Sequence, residues 1–283
     1  MSMPRNLLLV RHGQSEENLA NALALEQRES LGAGDFFDTH NSKVRLTKNG
    51  VIQAASTADW FKAELDKIDE SFATYFDRAV VSSYARAMET AALIEPDDED
   101  AVEGIEWRTS FTLRARSWGD MEKFFPSQRK LQHPDYLIKQ QDNPFHWTPP
   151  NGESMADLCM RIHRLYDQLH ERCDGMNVII VCHRDVMWAF RILLEEMSAE
   201  RFKELCYSSD PKDRIHNAHV LHYSRMNPHM PQKGMEPRMN WMRSICPHNP
   251  ELSSNEWQKI APYRPRKDDL LAAVAQFPRM FGD

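Results

Sequence analysis

The stretch Leu7-Leu8-Leu9-Val10-Arg11-His12-Gly13-Gln14-Ser15 joins an apolar run to a short polar sequence. An apolar run of this length predicts a strand buried inside a sheet. In open α/β sheets, ligands bind just beyond the carboxyl ends of the strands, and Arg11 and His12 stand at that end. Gly13 lets the backbone turn sharply and approach a ligand closely. The stretch therefore predicts a cleft at the end of a buried strand, although one histidine at such a place is more often structural than catalytic.

Two more apolar runs are followed by polar residues in a similar way. The run Val178–His183 also ends in a histidine and precedes a helical pattern. The run Val80–Ser83 leads to Arg86 and to a second helical pattern. We therefore expect three strands to bring His12, Arg86 and His183 to corresponding ends of one sheet.

Length and composition limit the class of protein. The chain has 283 residues, of which 41% are hydrophobic and 27% charged, so it can build the core of a single α/β domain. The net charge of −7 argues against a nucleic-acid partner, and an anionic ligand would need a local cluster of arginines. The first residues carry no secretory signal pattern, and no apolar run reaches the roughly 18 residues of a membrane span. The five cysteines show no metal-type spacing, which favours a reduced, cytoplasmic protein.

The sequence resembles the histidine phosphatase superfamily, in its phosphoglycerate-mutase-like branch. The resemblance covers roughly residues 5 to 223, and its motifs occur in the order of the family. They are Arg11-His12-Gly13-Gln14-Ser15 with Asn18, Leu46-Thr47-Lys48-Asn49-Gly50, Ser82-Ser83-Tyr84-Ala85-Arg86-Ala87-Met88-Glu89-Thr90-Ala91, Leu113-Arg114-Ala115-Arg116-Ser117-Trp118-Gly119-Asp120, Asn151-Gly152-Glu153-Ser154 and Val181-Cys182-His183. The resemblance implies an α/β fold with three layers, α/β/α, around a mostly parallel central sheet.

Two arginines and two histidines of this set suit the transfer of a phosphoryl group. Such a group carries negative charge on three equatorial oxygens, so its site needs several fixed cationic donors. Arg11 and Arg86 each present a planar fork that matches two oxygens. A neutral His12 can attack phosphorus and form a phosphohistidine, while His183 holds another oxygen. These side chains do what a metal ion does elsewhere, so we expect neither a metal nor another cofactor.

The resemblance implies the same roles for these four residues, with His12 as the nucleophile and the other three as the phosphate clamp. It adds Asn18 as a contact to the phosphate or the substrate. We expect Trp118 to contact the substrate as well.

One role in this reaction lacks its residue. An alkoxide leaves slowly unless a general acid protonates it, an effect of about 10²- to 10⁴-fold. In the family that the chain resembles, the acid is a glutamate two residues after the leucine that matches Leu113. Ala115 occupies that position here, and alanine cannot transfer a proton.

Three explanations for Ala115 are open. The first is a deliberate substitution that traps a substrate, which we favour because the rest of the motif is intact. The second is that a nearby carboxylate has taken over the role, and the candidates are Asp120, Glu122, Glu153 and Asp185. The third is that the chain is a binding protein that has kept the pocket and lost turnover.

The chain divides into a catalytic domain and an extension. We expect residues 1–223 to form the catalytic domain. Within it, residues 121–150 hold several aromatic side chains without clear alternation, and the resemblance implies an insertion that covers the cleft as a lid. Residues 224–283 are rich in proline, methionine and arginine and lack a periodic core, which predicts an extension packed on the domain.

These observations favour a phosphomonoester hydrolase that acts on a small phosphorylated molecule. A phospho-ligand-binding pseudophosphatase or regulator is an alternative because of Ala115. A phosphoglycerate-type mutase is a second alternative, but the extra basic and aromatic motifs of that group are not found between Met121 and Pro150. The sequence predicts neither a nucleic-acid nor a membrane partner, and it leaves the oligomeric state open.

Overall fold

The described residues form one sheet of seven strands. A computed structural model describes residues 3–25, 39–97, 104–275 and 277–281 of the chain. The strands are β1 (Asn6–Arg11), β2 (Arg78–Ser82), β3 (Trp107–Ser110), β4 (Asn177–Cys182), β5 (Val220–Ser224), β6 (Trp241–Ile245) and β7 (Gln258–Lys259). Across the sheet their order is β3-β2-β4-β1-β5-β6-β7.

The strands that precede the predicted site residues are parallel. β3, β2, β4 and β1 run in the same direction, whereas β5, β6 and β7 pair antiparallel with their neighbours. The registers Arg11 with Cys182 and Val81 with Val181 align the carboxyl ends of β1, β4 and β2. The prediction of an α/β fold with a mostly parallel central sheet is therefore confirmed.

Helices cover both faces of this sheet. They are α1 (Glu16–Leu25), α2 (Lys48–Leu65), α3 (Phe72–Tyr75), α4 (Ala85–Leu93), α5 (Pro126–Gln132), α6 (Pro134–Asp142), α7 (Met155–Arg172), α8 (Arg184–Leu194), α9 (Ala199–Cys206) and α10 (Lys267–Ala275). Because side chains alternate along a strand, β1 contributes to two cores. Leu7 and Leu9 belong to the core formed with α7, α8 and α9, and Leu8 and Val10 belong to the core formed with α2 and α4. The result is three layers, α/β/α.

The segment from residue 121 to 150 contains the short helices α5 and α6. Its residues reach the loop that follows β3. The guanidinium of Arg129 lies 5.3 Å from the ring of Trp118, and the carbonyl of Trp147 accepts from Arg116 at 3.4 Å. This part of the insertion therefore packs beside the predicted substrate contact Trp118, and its role as a lid stays a prediction.

The C-terminal residues continue the sheet. β6 pairs with β5 along its whole length, from Val220 opposite Ile245 to Ser224 opposite Trp241. Met242 and Ile245 are buried, one in each core. Backbone hydrogen bonds as well as packing thus join β6, which lies in the predicted extension, to β5.

The cysteines are unpaired thiols, most of them inside the core. All five cysteines are free, and four of them are buried. Burial raises the pKa of Cys159 to about 12, so its side chain packs as a neutral thiol.

Among the described helices, each is too short or too polar to cross a membrane.

Candidate active site

The ring of His12 is buried at the carboxyl end of β1. Its Nδ1 lies 2.7 Å from the carbonyl oxygen of Gly13, so we assign the proton to Nδ1, which donates it to that oxygen. Nε2 then carries the lone pair, and Arg86 Nε donates to it at 3.3 Å. Burial, followed by the charges of Arg86 and Arg11, holds the pKa of His12 well below its usual range. The ring is therefore neutral at physiological pH, as a nucleophile requires.

The turn after His12 is fixed by close packing. The backbone N–H of Gly13 donates to Thr90 Oγ1 at 3.0 Å. A Cβ at Gly13 would overlap the carbonyl group of Gly50, at the start of α2. The turn therefore needs glycine on both sides of this contact, which explains why the two glycine-containing motifs occur together.

The second histidine, His183, follows β4 and precedes α8. Its ring centroid lies 5.1 Å from that of His12, and its Nε2 lies 2.8 Å from Ser82 Oγ at the end of β2. Its Nδ1 is buried and has no hydrogen-bond partner among the described residues. Burial is the main cause that lowers the pKa of His183, and Arg86 adds to it. This nitrogen could therefore form a hydrogen bond to a ligand beside His12.

Arg86 lies in the first turn of α4 and points into the same space. Besides its contact to His12, its Nη1 donates to the carbonyl of Asn41 at 2.7 Å. Its Nη2 lies 3.7 Å from the carboxylate of Glu17, and the ring of Tyr84 lies 5.1 Å from its guanidinium carbon. Burial lowers the pKa of Arg86, while Glu17 raises it. Besides His12, these three neighbours hold the guanidinium in place, and some of its N–H groups remain without a hydrogen bond among the described residues.

Arg11 is the last residue of β1. Its Nη1 donates to the carbonyl of Ile215 at 2.8 Å, and its buried Nε has no partner in the described part of the chain. Burial, followed by the charge of Arg184, lowers the pKa of Arg11 to about 9, so the group stays protonated at neutral pH. Together, Arg11, Arg86, His12 and His183 form one cationic cluster at the carboxyl ends of the parallel strands, in which the two arginines carry the charge.

The structure places Asn18 in a network that supports the turn. Its Oδ1 accepts from the backbone of Ser15 at 3.2 Å and from Asn217 Nδ2 at 2.9 Å. Asn217 Nδ2 also donates to the carbonyl of His12 at 3.2 Å. Asn18 is therefore one side chain away from the backbone of the nucleophile, and its contact to a substrate stays a prediction.

The loop after β3 carries Ala115 and Trp118. Ala115 is half-buried, and Arg161 donates to the carbonyl of the preceding residue, Arg114, at 3.1 Å. After burial and the charges of Arg86, His12 and Arg11, the charge of Arg161 also lowers the pKa of His183. The ring of Trp118 lies 4.7 Å from the guanidinium carbon of Arg116.

Two of the four candidate acids are held in their ionised form. Glu153 accepts two hydrogen bonds from Arg161 at 2.8 Å and one from Arg114 at 3.2 Å. Burial raises the pKa of Glu153, but the bonds from Arg161 and Ser117 outweigh it and the pKa is lowered. Burial likewise raises the pKa of Asp185, and Arg184 and Arg116 lower it further than burial raises it. Neither carboxyl carries a proton to donate at neutral pH.

The other two candidates are exposed. Asp120 accepts from Asn151 Nδ2 at 2.9 Å. Glu122 accepts from the backbone N–H of Trp118 at 2.9 Å and from Ser117 Oγ at 3.3 Å through the same oxygen. After burial and two nearer groups, the charge of Glu122 also acts on the pKa of Arg86. Both printed bonds of Glu122 use one carboxylate oxygen, so its other oxygen has no hydrogen bond within the described residues.

Sequence reasoning missed Glu17, Asn41 and Ser82 as partners of the site. Glu17 stands in the first turn of α1, where an acidic residue is favoured by the helix dipole in any case. Asn41 acts through its backbone carbonyl, which has no sequence signal. Only Ser82, which closes an apolar run, carried a recognisable pattern.

Within the ranges that the structure describes, no three His, Cys, Asp or Glu side chains are grouped as a metal ion would require. The positive charge that would hold an anion comes from the guanidinium groups, and the imidazoles can add hydrogen bonds.

Similarity to known proteins covers most of this chain. The sequence model of the histidine phosphatase superfamily (branch 1) matches residues 7–211. A 2,3-bisphosphoglycerate-dependent phosphoglycerate mutase of Methylorubrum populi is 27% identical over 205 residues, which cover 72% of this chain and 85% of the relative. A mutase of the same name from Xanthobacter autotrophicus is 29% identical over 198 residues, covering 69% and 84%.

Solved structures show the same fold at lower identity. The α-ribazole phosphatase of Shigella flexneri superposes with a TM-score of 0.56 at 21% identity, covering 79% of this chain and 91% of that one. A mycobacterial glucosyl-3-phosphoglycerate phosphatase bound to VO3 gives a TM-score of 0.56 at 20% identity, covering 78% and 91%. With the family model spanning most of the sequence, this chain belongs to branch 1 of the histidine phosphatase superfamily.

Proposed function

We propose that the chain hydrolyses phosphomonoesters through a phosphohistidine on His12. One arrangement supports this most directly. Because Nδ1 of His12 donates to the carbonyl of Gly13, Nε2 is an unprotonated nitrogen that faces Arg86 Nε. The ring of His183 stands next to it, with its Nδ1 unoccupied within the described structure. A nucleophile and donors for the phosphoryl oxygens therefore converge on one point.

The reaction has two steps. In the first, the Nε2 lone pair of His12 attacks phosphorus, the bond to the ester oxygen breaks, and that oxygen leaves with the electron pair. In the second, water attacks the phosphohistidine, the bond from nitrogen to phosphorus breaks, and a proton goes to solvent. Arg11, Arg86 and His183 donate to the equatorial oxygens, whose charge grows in both transition states.

Ala115 sets the range of leaving groups. Without a proton donor, an alkoxide leaves slowly, whereas p-nitrophenolate is stable enough to leave unprotonated. We therefore propose that this chain turns over activated aryl phosphates and is impaired on alkyl phosphates. The latter substrates would stay bound for longer.

The test of this proposal is a trapped phosphoenzyme. The chain is mixed with ³²P-labelled p-nitrophenyl phosphate and denatured within milliseconds to seconds, and we expect an acid-labile, alkali-stable label together with release of p-nitrophenolate. His12→Ala should lose both by at least about 10³-fold, because the nucleophile is gone. His163→Ala removes an exposed histidine of α7 and should label fully. Full labelling of His12→Ala would refute the assignment of the nucleophile.

Ala115 also favours a second candidate, a protein that binds a phosphorylated molecule without turning it over. It predicts no label and no nitrophenolate in the assay above, with either the native chain or Ala115→Glu. Inorganic phosphate would still bind with a heat detectable by calorimetry. Turnover by either protein would reject it.

The named relatives favour a third candidate, a mutase. Proteins 27% and 29% identical to this chain are named as 2,3-bisphosphoglycerate-dependent phosphoglycerate mutases. Interconversion of 3- and 2-phosphoglycerate, measured with and without 2,3-bisphosphoglycerate as primer, tests it. We expect slow release of phosphate and no primer-dependent interconversion.

We propose a cytoplasmic location and a small-molecule substrate. The free cysteines fit the reducing conditions of the cytoplasm. The small-molecule class is supported by a phosphate-facing cluster of only four side chains, and the net charge of −7 opposes binding to nucleic acid.

A further inference from the structure

A cavity of about 460 Å³ lies next to the phosphate-facing residues. Arg11, which precedes His12, forms part of its wall. Arg116 from the loop after β3, Arg184 from α8 and Arg214 from the segment before β5 complete the charged side. We call this space the arginine cavity.

The positive charge of the arginine cavity is mostly uncompensated. Arg11 and Arg116 donate to backbone carbonyls, of Ile215 and of Glu153, which orient the guanidiniums without neutralising them. The side chain of Arg214 has neither an ion pair nor a hydrogen bond within the described residues. Only Arg184 meets a carboxylate, at 3.0 Å from Asp185.

Four guanidiniums therefore face one carboxylate among the described lining residues. This concentration of positive charge occurs in a chain of net charge −7. Clustered like charges raise the free energy of the unliganded protein, and an anion entering the cavity relieves that repulsion. The low pKa of Arg11, caused first by burial and next by Arg184, reflects this crowding.

The lining of the arginine cavity also includes apolar side chains. Trp118, Trp188, Met155, Phe202 and Leu205 contribute to it. A solvated inorganic ion gains nothing from such a wall, whereas an organic group with an aromatic or aliphatic part buries surface against it. The cavity thus combines cationic recognition with an apolar platform.

We propose that the arginine cavity binds the leaving group of the substrate, and that this leaving group carries an anionic substituent, a carboxylate or a second phosphate, on an apolar or ring-shaped body. The inference rests on the proposed phosphatase function. It extends that function by naming a substrate class, because Arg11 adjoins both His12 and the cavity. Arg11 is thus the residue through which a phosphoryl group at His12 and a leaving group in the cavity would be neighbours.

The test uses two chromogenic esters with similar leaving groups. They are 4-nitrophenyl phosphate and 3-carboxy-4-nitrophenyl phosphate, which differ in the added carboxylate. We expect kcat/KM of the native chain to be about tenfold higher for the carboxylated ester, as one charge-assisted contact provides. The preference should shrink as the salt concentration rises, because ions screen a partly open site.

Arg214→Gln is the informative variant, since that side chain holds no other group of the described structure. We expect it to remove most of the preference, so that the ratio of kcat/KM for the two esters approaches one. Arg164→Gln is the matched control. It removes the same charge from the exposed face of α7, outside the cavity, and should keep the preference. An unchanged preference in Arg214→Gln, or no preference in the native chain, would overturn the proposal.

A second measurement separates this inference from the phosphatase function. Benzylphosphonate and 3-carboxybenzylphosphonate cannot be hydrolysed, so calorimetry reports their binding alone. Tighter binding of the carboxylated compound that Arg214→Gln abolishes, with no ester turnover, would support the cavity and reject the phosphatase. Turnover of both esters with equal binding of both phosphonates would support the phosphatase and reject the cavity.

Discussion

The phosphate-facing side chains and the segment from Leu113 to Glu122 lie at the same edge of the sheet but use their polar groups differently. His12 Nε2 is unprotonated and accepts only a long bond, from Arg86 Nε at 3.3 Å, and His183 Nδ1 is an unpartnered nitrogen in the described structure. In the segment after β3, Glu122 accepts from Trp118 and Ser117. The first region has polar atoms left for a ligand, whereas the polar groups of the second form hydrogen bonds within their own loop.

This difference separates two parts of catalysis that usually occur together. Holding and attacking a phosphoryl group needs cations and a neutral imidazole, and the residues for both converge in one place. Protonating the leaving oxygen needs a carboxyl group that keeps its proton, and Ala115 cannot supply one. The carboxylates of Glu153 and Asp185 are held ionised by neighbouring arginines.

Restoring the acid should give the largest effect. We expect Ala115→Glu to raise kcat/KM for glycerol 1-phosphate by about 10²- to 10⁴-fold, because a carboxyl group there can protonate the alkoxide. The gain on p-nitrophenyl phosphate should stay below about tenfold, since that leaving group needs no proton. Phosphate release under steady-state conditions measures both.

Ala115→Gln controls for the size of the new side chain. It adds a similar volume and a hydrogen-bond donor but no transferable proton, so the rate on glycerol 1-phosphate should stay at the native level. A gain in Ala115→Gln equal to that in Ala115→Glu would show that packing, and not proton transfer, limits the native chain. An inert Ala115→Glu that folds normally would place the acid elsewhere.

The cationic region can be tested with the charge kept constant. Arg86→Lys retains the positive charge but loses the Nε contact to His12 and the planar fork, so we expect kcat/KM for p-nitrophenyl phosphate to fall about 10²-fold. Arg45→Lys makes the same change at an exposed residue that pairs with Glu89, and it should change the rate less than about twofold. Equal rates for Arg86→Lys and the native chain would show that charge alone suffices.

The two regions also differ in how well the sequence predicts them. His12, Arg86 and His183 each follow a buried strand, so a local apolar pattern places them at one sheet edge once the strands are parallel. The loop after β3 has no such pattern, and the partners of Glu122 and Glu153 depend on how chain segments remote in sequence pack together. The segment 121–150 lacks alternation because it is helical in part, with α5 and α6 each opened by a proline.

The arginine cavity illustrates the same limit. Arg116, Arg184 and Arg214 come from three segments, and none stands in a periodic pattern that points to the others. The strands β6 and β7 are not predicted from the sequence either, because a stretch rich in proline and methionine gives a weak strand signal. Only the pairing of β6 with β5 gives those residues their place in the sheet.

The smallest effect is expected at Glu122, the candidate acid in the same loop as Ala115 that is not held by arginines. Glu122→Gln keeps an oxygen that can accept from Trp118 and Ser117, so the loop should hold its shape while the transferable proton is lost. If Glu122 only supports the loop, kcat/KM for glycerol 1-phosphate should change less than about threefold. A loss of about 10²-fold or more on this alkyl ester, with p-nitrophenyl phosphate unaffected, would instead identify Glu122 as the general acid, because only the ester that needs a proton would suffer. The claim that the loop after β3 only supports its own structure would then be wrong.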